Sequence, residues 1–295
     1  MSNPILWKPD DARVQSSAMM AFAGEFGHRL GRVLSDYRTL HQASISHRET
    51  FWSTVWDWCG VIGDKGEAIL AEDAMPGARF FPEARLNFAQ NLLRQADDSD
   101  ALVFRAEDKA IRRMSWRALN DLVSRLQQAM AAAGVGEGDR VAAMMPNMPE
   151  TIAIMLAAAS LGAIFSSCSP DFGERGVLDR FGQIEPKLFL ACDGYWYAGK
   201  RIGIVDKLKP IVAGLPRASC VIVEHLGEAN AVAAALGGTS LAEFIAPFAA
   251  RPVAFRPMPF NHPLYILFSS GTTGVPKCIV HGAGGTLLQH LKEQR

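Results

Sequence analysis

The chain has 295 residues, in which 30 basic side chains balance 30 acidic ones and 49% of the residues are hydrophobic. This composition excludes intrinsic disorder for the bulk of the chain, because disorder needs low hydrophobicity and high net charge. The zero formal net charge also argues against a broad electrostatic surface for nucleic acid, so we expect no nucleic-acid partner. At roughly 100–200 residues per domain, the length predicts about two domains or one large α/β unit.

The first part of the chain, residues 1–95, is predicted to be an N-terminal cap of helices and loops. We expect one helix around residues 15–34. Ser46 and Glu49 resemble a capping box ahead of a stripe of apolar and aromatic residues at 51–58. For this aromatic cluster, packing inside the cap is favoured over a surface on which a ligand stacks.

From about residue 100, short apolar strands alternate with helices. The predicted strands are 101–105, 140–145, 163–167, 187–192, 220–224 and 263–268, and the predicted helices are 115–133, 149–161, 173–183 and 200–209. Such alternation indicates an α/β fold with a mainly parallel sheet and right-handed crossovers. Ligands of such sheets bind beyond the carboxyl ends of the strands. Residues 229–238 and 247–259 are predicted to be a surface excursion.

Residues 151–168 carry no charged side chain, and 18 residues touch the lower limit for a membrane-spanning helix. Small and polar residues dilute this stretch, and Gly162 divides it into a helix-length and a strand-length piece. We therefore predict a buried helix followed by a buried strand, with no stable membrane insertion.

The five cysteines are widely spaced and form no CxxC pair, which indicates neither a disulfide framework nor a zinc module. Such usage is typical of a reducing compartment. The N-terminal segment lacks the basic and apolar regions of a secretory signal. We expect a cytoplasmic protein.

The strand predicted at 263–268 is followed by a segment, residues 269–277, that we call the phosphate loop. It contains two glycines, four hydroxyl residues and a terminal lysine. Glycines let successive backbone N–H groups approach an anion, while the hydroxyls and the lysine add further donors. The pattern is not a Walker A loop, because Gly271 is followed by Thr-Thr-Gly-Val-Pro-Lys-Cys. A polar turn between two strands is the alternative to a polyphosphate site.

The phosphate loop and the His281-Gly pair that follows resemble the signature of the adenylate-forming enzymes, the family that includes the acyl-CoA synthetases. Residues 78–93, 138–141, 146–150 and 157–165 are similar to further segments of these enzymes. Residues 166–173, 178–187, 193–200 and 284–293 resemble most the members that activate acetoacetate. The similarity extends over nearly the whole chain.

The resemblance implies an acid–thiol ligase. ATP and the acid give an acyl-adenylate and pyrophosphate, and coenzyme A then displaces AMP, with Mg²⁺ as cofactor. Acetoacetate is the expected acid, and acetate, propionate or a non-catalytic nucleotide-binding module are the alternatives. The residues expected to bind the ATP phosphates and pyrophosphate are Ser269 at the loop entrance, Ser270, Gly271, Thr272, Thr273, Gly274 and Lys277.

Residues 193–200 correspond to a family segment in which basic residues contact the phosphates of coenzyme A. Tyr197 and Lys200 replace arginines expected there, and with Arg201 they are the candidate coenzyme A contacts; a solvated helix start is the alternative. The family's ribose-binding aspartate and catalytic lysine have no counterpart in the sequence. Residues 96–295 are therefore predicted to be the first part of an adenylation domain, and the chain alone is not expected to turn over substrate.

Overall fold

The computed structural model describes residues 6–107, 111–269 and 274–294. The chain forms two compact units: Met1–Ala84 together with Thr286–Arg295, and Arg85–Gly285. The domain boundary expected near residue 95 stays a prediction, because a compact unit is not by itself a domain of the complete protein.

The first unit is mainly helical. Its elements are α1 (Asp11–Gln15), α2 (Ala18–Leu30), α3 (Tyr37–Ser46), α4 (Arg48–Trp58), β1 (Gly63–Asp64), β2 (Leu70–Glu72) and β3 (Arg79–Phe80). Ala23 and Phe26 of α2 pack with Leu40 and Ala43 of α3 in its core. Trp56 is buried, with its ring 5.1 Å from that of Phe81, so packing is confirmed for this member of the aromatic cluster.

The capping box predicted at Ser46 and Glu49 is wrong. Ser46 is the last residue of α3, and His47 precedes α4 without a side-chain cap. A capping box does occur one helix earlier, where Asp36 and Thr39 bond reciprocally. The chain stays helical up to Ser46 because the apolar stripe of α3 packs into the core, which overrides the local capping signal.

The second unit contains the remaining elements. They are β4 (Arg85–Leu86), α5 (Phe88–Leu92), β5 (Asp100–Arg105), β6 (Ile111–Ser115), α6 (Trp116–Ala132), β7 (Arg140–Met144), α7 (Pro149–Ser160), β8 (Ile164–Cys168), α8 (Glu174–Ile184), β9 (Leu188–Cys192), β10 (Gly194–Tyr197), β11 (Lys200–Gly203), α9 (Val205–Ala213), β12 (Ser219–Val223), α10 (Ala229–Leu236), β13 (Thr239–Ser240), α11 (Leu241–Ile245), β14 (Met258–Pro259), β15 (Pro263–Ser269) and β16 (Lys277–Gly282). The last helix, α12 (Ala283–Gln294), begins here and ends in the first unit.

A seven-stranded sheet forms the centre of the second unit, in the order β13-β12-β9-β7-β8-β15-β16. Neighbouring strands pair in parallel from β13 to β15, and β16 is antiparallel to β15. Every residue of β9 is buried, as expected for a strand in the middle of a sheet that helices cover. The predicted α/β class with a mainly parallel sheet is confirmed.

Local sequence signals predict the start and the end of α6 correctly. The Ser115 hydroxyl accepts a hydrogen bond from the Ala118 N–H at 3.2 Å, and Gly134 takes a positive φ of 79° just after the helix. Helices commonly begin after a residue whose side-chain oxygen accepts from the first turn, and they commonly end before a glycine in the left-handed conformation. The helix predicted at 115–133 is therefore confirmed with its cap.

The uncharged stretch at residues 151–168 lies in α7 and β8, with Gly162 between them at a φ of 75°. A helix followed by a strand is what the sequence predicts. Among the described helices, none combines the length and apolar character needed to cross a membrane.

Two other predictions are wrong. Residues 200–209 do not form one helix, because β11 pairs with β10 in an antiparallel hairpin and α9 starts only at Val205. Residues 229–238 are not a surface excursion either. There α10 buries Ala229, Val232 and Ala233, and β13 after it extends the sheet. The first segment pairs with the strand directly before it, and the second packs beside β12 and extends the sheet, so strand pairing outweighs the helix or loop pattern in both places.

Candidate functional site

The parallel strands bring their carboxyl ends to one edge of the sheet. Strands β7, β8, β9, β12 and β15 all run in the same direction. The phosphate loop leaves this edge after β15, and the β10–β11 hairpin leaves it after β9. Because ligands of open α/β sheets bind beyond this edge, both segments belong to the candidate site.

The first and last residues of the phosphate loop are paired on two adjacent strands. Ser269, the last residue of β15, pairs with Lys277, the first of β16. Ser269 is half-buried and Lys277 is exposed. Gly274 has a φ of 100°, which favours glycine. Four residues predicted to bind phosphate lie outside the described residues: Ser270, Gly271, Thr272 and Thr273. The structure thus places Ser269 and Lys277 side by side where the loop begins and ends.

A cavity of about 260 Å³ opens at the same edge. The hairpin and the segments that follow β7 and β8 line it, and its aromatic walls are Phe104, Tyr195, Trp196, Tyr197 and His225. Asn147 and Ser169 add hydrogen-bonding groups to the lining. Aromatic faces with a few polar groups can stack and orient a planar ring.

Asp193 fixes one wall of this cavity. Its buried carboxylate accepts three backbone N–H bonds, from His225 and Leu226 at 2.8 Å and from Glu228 at 2.7 Å. A side chain on Gly194 would lie 2.2 Å from the Leu226 Cδ1 atom, so the hairpin packs closely on this turn. The sequence does not reveal this role of Asp193, because its partners lie more than 30 residues further on. An aspartate directly after a buried strand is the signal that could have pointed to it.

The three candidate coenzyme A contacts lie on the hairpin. Tyr197 lines the cavity and is 63% exposed, and it pairs with exposed Lys200 across the hairpin. Lys200 has no ion pair within the described residues. The Arg201 guanidinium donates to the Leu226 carbonyl at 2.6 Å and to the Glu228 carboxylate at 2.9 Å. The structure therefore brings Tyr197 to the cavity and places Lys200 next to it on the neighbouring strand, while Arg201 helps to hold the turn after β12.

Two buried cysteines lie near the same edge. Burial raises the pKa of Cys168 and of Cys192 to about 12 in each case. Both thiols are therefore neutral at physiological pH, and neutral thiols are poor nucleophiles. The arrangement does not support covalent catalysis by these two side chains.

Within residues 6–107, 111–269 and 274–294, no three His, Cys, Asp or Glu side chains are grouped so that they could hold a metal ion. The oxygen donors at the described end of the phosphate loop are the Ser269 hydroxyl and backbone carbonyls. Oxygen donors suit Mg²⁺, which usually keeps several waters and binds substrate phosphates together with few protein groups.

The chain is similar to known families along most of its length. The model of the family described as AMP-binding enzyme matches residues 88–294. A second model, described as Acetyl-coenzyme A synthetase N-terminus, matches residues 37–92.

Individual proteins match over almost the whole chain. Acetoacetyl-coenzyme A synthetase of Rhizobium meliloti (strain 1021) is 61% identical over 292 residues, covering 98% of this chain and 45% of that protein. Acetoacetyl-CoA synthetase of Xenopus tropicalis is 38% identical over 308 residues, covering 99% and 45%. The solved structure of Acetoacetyl-CoA Synthetase from Streptomyces lividans matches with a TM-score of 0.91 and 36% identity, covering 99% and 45%. The chain thus spans about 45% of the length of these relatives.

Proposed function

Because the chain belongs to the family of AMP-binding enzymes, we propose that the complete protein is a ligase that makes acetoacetyl-CoA from acetoacetate, ATP and coenzyme A. The observation that carries this proposal is the 61% identity to a protein named Acetoacetyl-coenzyme A synthetase. The chain covers less than half of that protein. The activity and the acid are therefore proposals about the complete protein.

In the proposed first step, a carboxylate oxygen of the acid attacks the α-phosphorus of ATP, and the bond to the bridging oxygen of pyrophosphate breaks. Negative charge then develops on the leaving pyrophosphate. Donors preorganised around the β- and γ-phosphates stabilise that charge and hold the in-line geometry. We assign this task to Ser269, Ser270, Gly271, Thr272, Thr273, Gly274 and Lys277. The adjacency of Ser269 and Lys277 supports the assignment.

Magnesium fits this site as a partner of the phosphates. The hydroxyl-rich loop supplies oxygen donors, which Mg²⁺ prefers, and Ser269 is the described member of that set. When bound, the ion neutralises phosphate charge. Lys277 contributes a mobile positive charge to the same phosphates.

In the proposed second step, the sulfur of coenzyme A attacks the acyl carbon of the adenylate and AMP leaves. We assign the nucleotide end of coenzyme A to the cavity beside the β10–β11 hairpin. Tyr197 offers a ring at the rim and Lys200 an unpaired charge for a phosphate. Arg201 is a weaker candidate for the same phosphates, because its Nη2 group already donates to the Glu228 carboxylate.

Acetate is the second candidate acid. The match of residues 37–92 to the N-terminus of acetyl-coenzyme A synthetases favours it over other short acids. A hydroxamate-trapping assay of the complete protein against acetoacetate, acetate and propionate separates these candidates. We expect the highest kcat/KM with acetoacetate. Preference for another acid would overturn the choice of substrate, and no hydroxamate with any acid would favour a non-catalytic nucleotide-binding module.

The cytoplasm is the proposed location. No disulfide joins cysteines within the described residues, and four of the five cysteines are buried thiols. Unpaired cysteines are typical of proteins in a reducing compartment. Fractionation of cells with an antibody to the complete protein would test this, and recovery outside the cytoplasm would contradict it.

A further inference from the structure

Helix α8 contacts the end of the phosphate loop through a glutamine. The Gln183 Nε2 group donates to the Pro276 carbonyl at 2.9 Å and to the Asp179 carbonyl at 2.6 Å. The Cys278 thiol lies 3.7 Å from Gln183 Oε1, to which it donates. One side-chain amide thereby bridges α8 to the two residues that flank Lys277.

The same helix contacts the strand that leads into the loop through an arginine. Arg180 donates to the Gly176 carbonyl at 2.6 Å and places its Cζ atom 5.9 Å from the centre of the Phe268 ring. A second ring, Phe172, lies 4.8 Å from the same Cζ atom. Phe268 directly precedes Ser269, so the guanidinium is held against the strand that enters the loop.

The contacts of Arg180 and Gln183 lie between one face of α8 and one face of the sheet. Arg180 and Gln183 are three residues apart and therefore lie on the same face of α8. Phe268 and Cys278 are paired across β15 and β16, so their side chains point to the same face of the sheet. One helix face therefore contacts the strand residues on either side of the loop, and Ser269 and Lys277 project from the opposite face of the sheet.

We propose that Gln183 and Arg180 are positioning residues that hold the two ends of the phosphate loop on α8 and thereby set the location of Lys277. This inference rests on the proposed function, because it gives the position of Lys277 a role in binding ATP phosphates. Neither side chain needs to touch the nucleotide. Both act through the backbone and the strand that carry the binding groups.

A second glutamine in the chain provides a matched control. Gln128 Nε2 donates to the Ser124 carbonyl four residues earlier at 3.2 Å and to the Ala249 carbonyl of a loop at 2.8 Å. This pattern repeats that of Gln183, which also bonds a helix carbonyl four residues earlier and a loop carbonyl. Gln128 lies on α6, and its bonds go to a segment outside the candidate site.

The test is acid-dependent exchange of pyrophosphate into ATP, measured with the complete protein. Gln183→Leu removes the bridge at similar volume. Since a net hydrogen bond is worth about 0.5–1.5 kcal/mol, we expect the KM for Mg-ATP to rise roughly threefold to tenfold, with a smaller change in kcat. Gln128→Leu should leave this KM unchanged. An unchanged KM in Gln183→Leu, or equal changes in both variants, would overturn the proposal.

Gln183→Glu gives a second readout that a purely structural role would not move. Its carboxylate would face two carbonyl oxygens at neutral pH, whereas the protonated form can donate again. Because two carbonyl oxygens disfavour the charged form, we expect the pKa of this carboxyl to be raised from the ordinary glutamate value of about 4.3. The ratio of its KM for Mg-ATP to that of the wild type should therefore fall as the pH drops from about 8 to about 5. A ratio independent of pH would contradict the bridge. Absence of exchange in the wild type would instead contradict the proposed function.

Discussion

Replacing Asp193 should loosen one specific turn of the second unit. The carboxylate holds the backbone N–H groups of His225, Leu226 and Glu228, and this turn forms part of the cavity wall beside the hairpin. Asp193→Asn keeps one oxygen, which can still accept the two bonds from His225 and Leu226. The new amide NH₂ group, however, would face the N–H of Glu228, so that two donors oppose each other.

The size of the effect follows from the bonds that are lost. A hydrogen bond to a charged group contributes about 1.5–3 kcal/mol. Because the two opposed donors add to this loss, the local opening free energy should fall by about 2–3 kcal/mol in Asp193→Asn. At about 1.4 kcal/mol per tenfold, amide exchange in the turn should accelerate roughly 30-fold to 150-fold. Asp193→Ala removes all three bonds and should accelerate it more.

Hydrogen exchange read by mass spectrometry on peptides covering residues 224–229 measures this directly in the complete protein. Asp206→Asn is the matched control, because Asp206 is an exposed aspartate whose partner is Lys209 on the same helix. The control should exchange like the wild type in this turn. Exchange in Asp193→Asn within twofold of the wild type would refute the role of the carboxylate.

Three further predictions concern individual side chains. Lys277→Ala should abolish most acid-dependent pyrophosphate exchange without lowering the melting temperature. The reason is that Lys277 is exposed and has no ion pair within the described residues. A fall in melting temperature with normal exchange would contradict this prediction. In thiol labelling at about pH 8, exposed Cys278 should react and buried Cys168 should not, since burial raises the pKa of Cys168 to about 12. Because the pKa of Cys168 is higher in the folded protein than the ordinary value of about 8.5, folding favours the neutral thiol. This contribution to stability is fully present below about pH 8.5 and is lost as the pH rises towards about 12. Labelling of Cys168 in the folded protein would refute its burial.

The sequence predicts the sheet well where the signal is local. The almost continuous apolar runs of β7 and β9 indicate buried strands directly. Helix α6 has a capping serine at its start and a glycine after its end. The position of the phosphate loop also follows from the sequence, since an apolar strand precedes it and a second strand follows. These elements need no knowledge of distant residues.

The sequence fails to predict the structure where an unmarked turn or a contact with a distant residue determines it. Residues 200–209 have the spacing of a helix, yet β11 folds back on β10 because Ala198 and Gly199 both take positive φ values, 49° and 73°. Such a pair of values is typical of a tight hairpin turn. An alanine in the sequence does not indicate a positive φ. The support of the phosphate loop by Gln183 is equally hidden, because Pro276 lies 93 residues further along the chain.

Strand order separates the two proposed binding regions. The hairpin leaves the sheet after β9 and the phosphate loop after β15, and β7 and β8 lie between them. Three strand intervals of about 4.8 Å place these exits about 14 Å apart along the edge. The ATP phosphates and the nucleotide end of coenzyme A would therefore occupy different places on the same edge.

This separation makes a kinetic prediction for the complete protein. Coenzyme A without its sulfur cannot carry out the second step but keeps the nucleotide that the cavity would bind. If the two regions are distinct, this analogue should not raise the KM for Mg-ATP in pyrophosphate exchange, whereas Tyr197→Ala should weaken the analogue's own binding in a calorimetric titration. Tyr37→Ala, which changes an exposed tyrosine of α3, is the control for the second measurement. Competition between the analogue and Mg-ATP would mean that both ligands share one region, and the assignment of the hairpin cavity to coenzyme A would then be wrong.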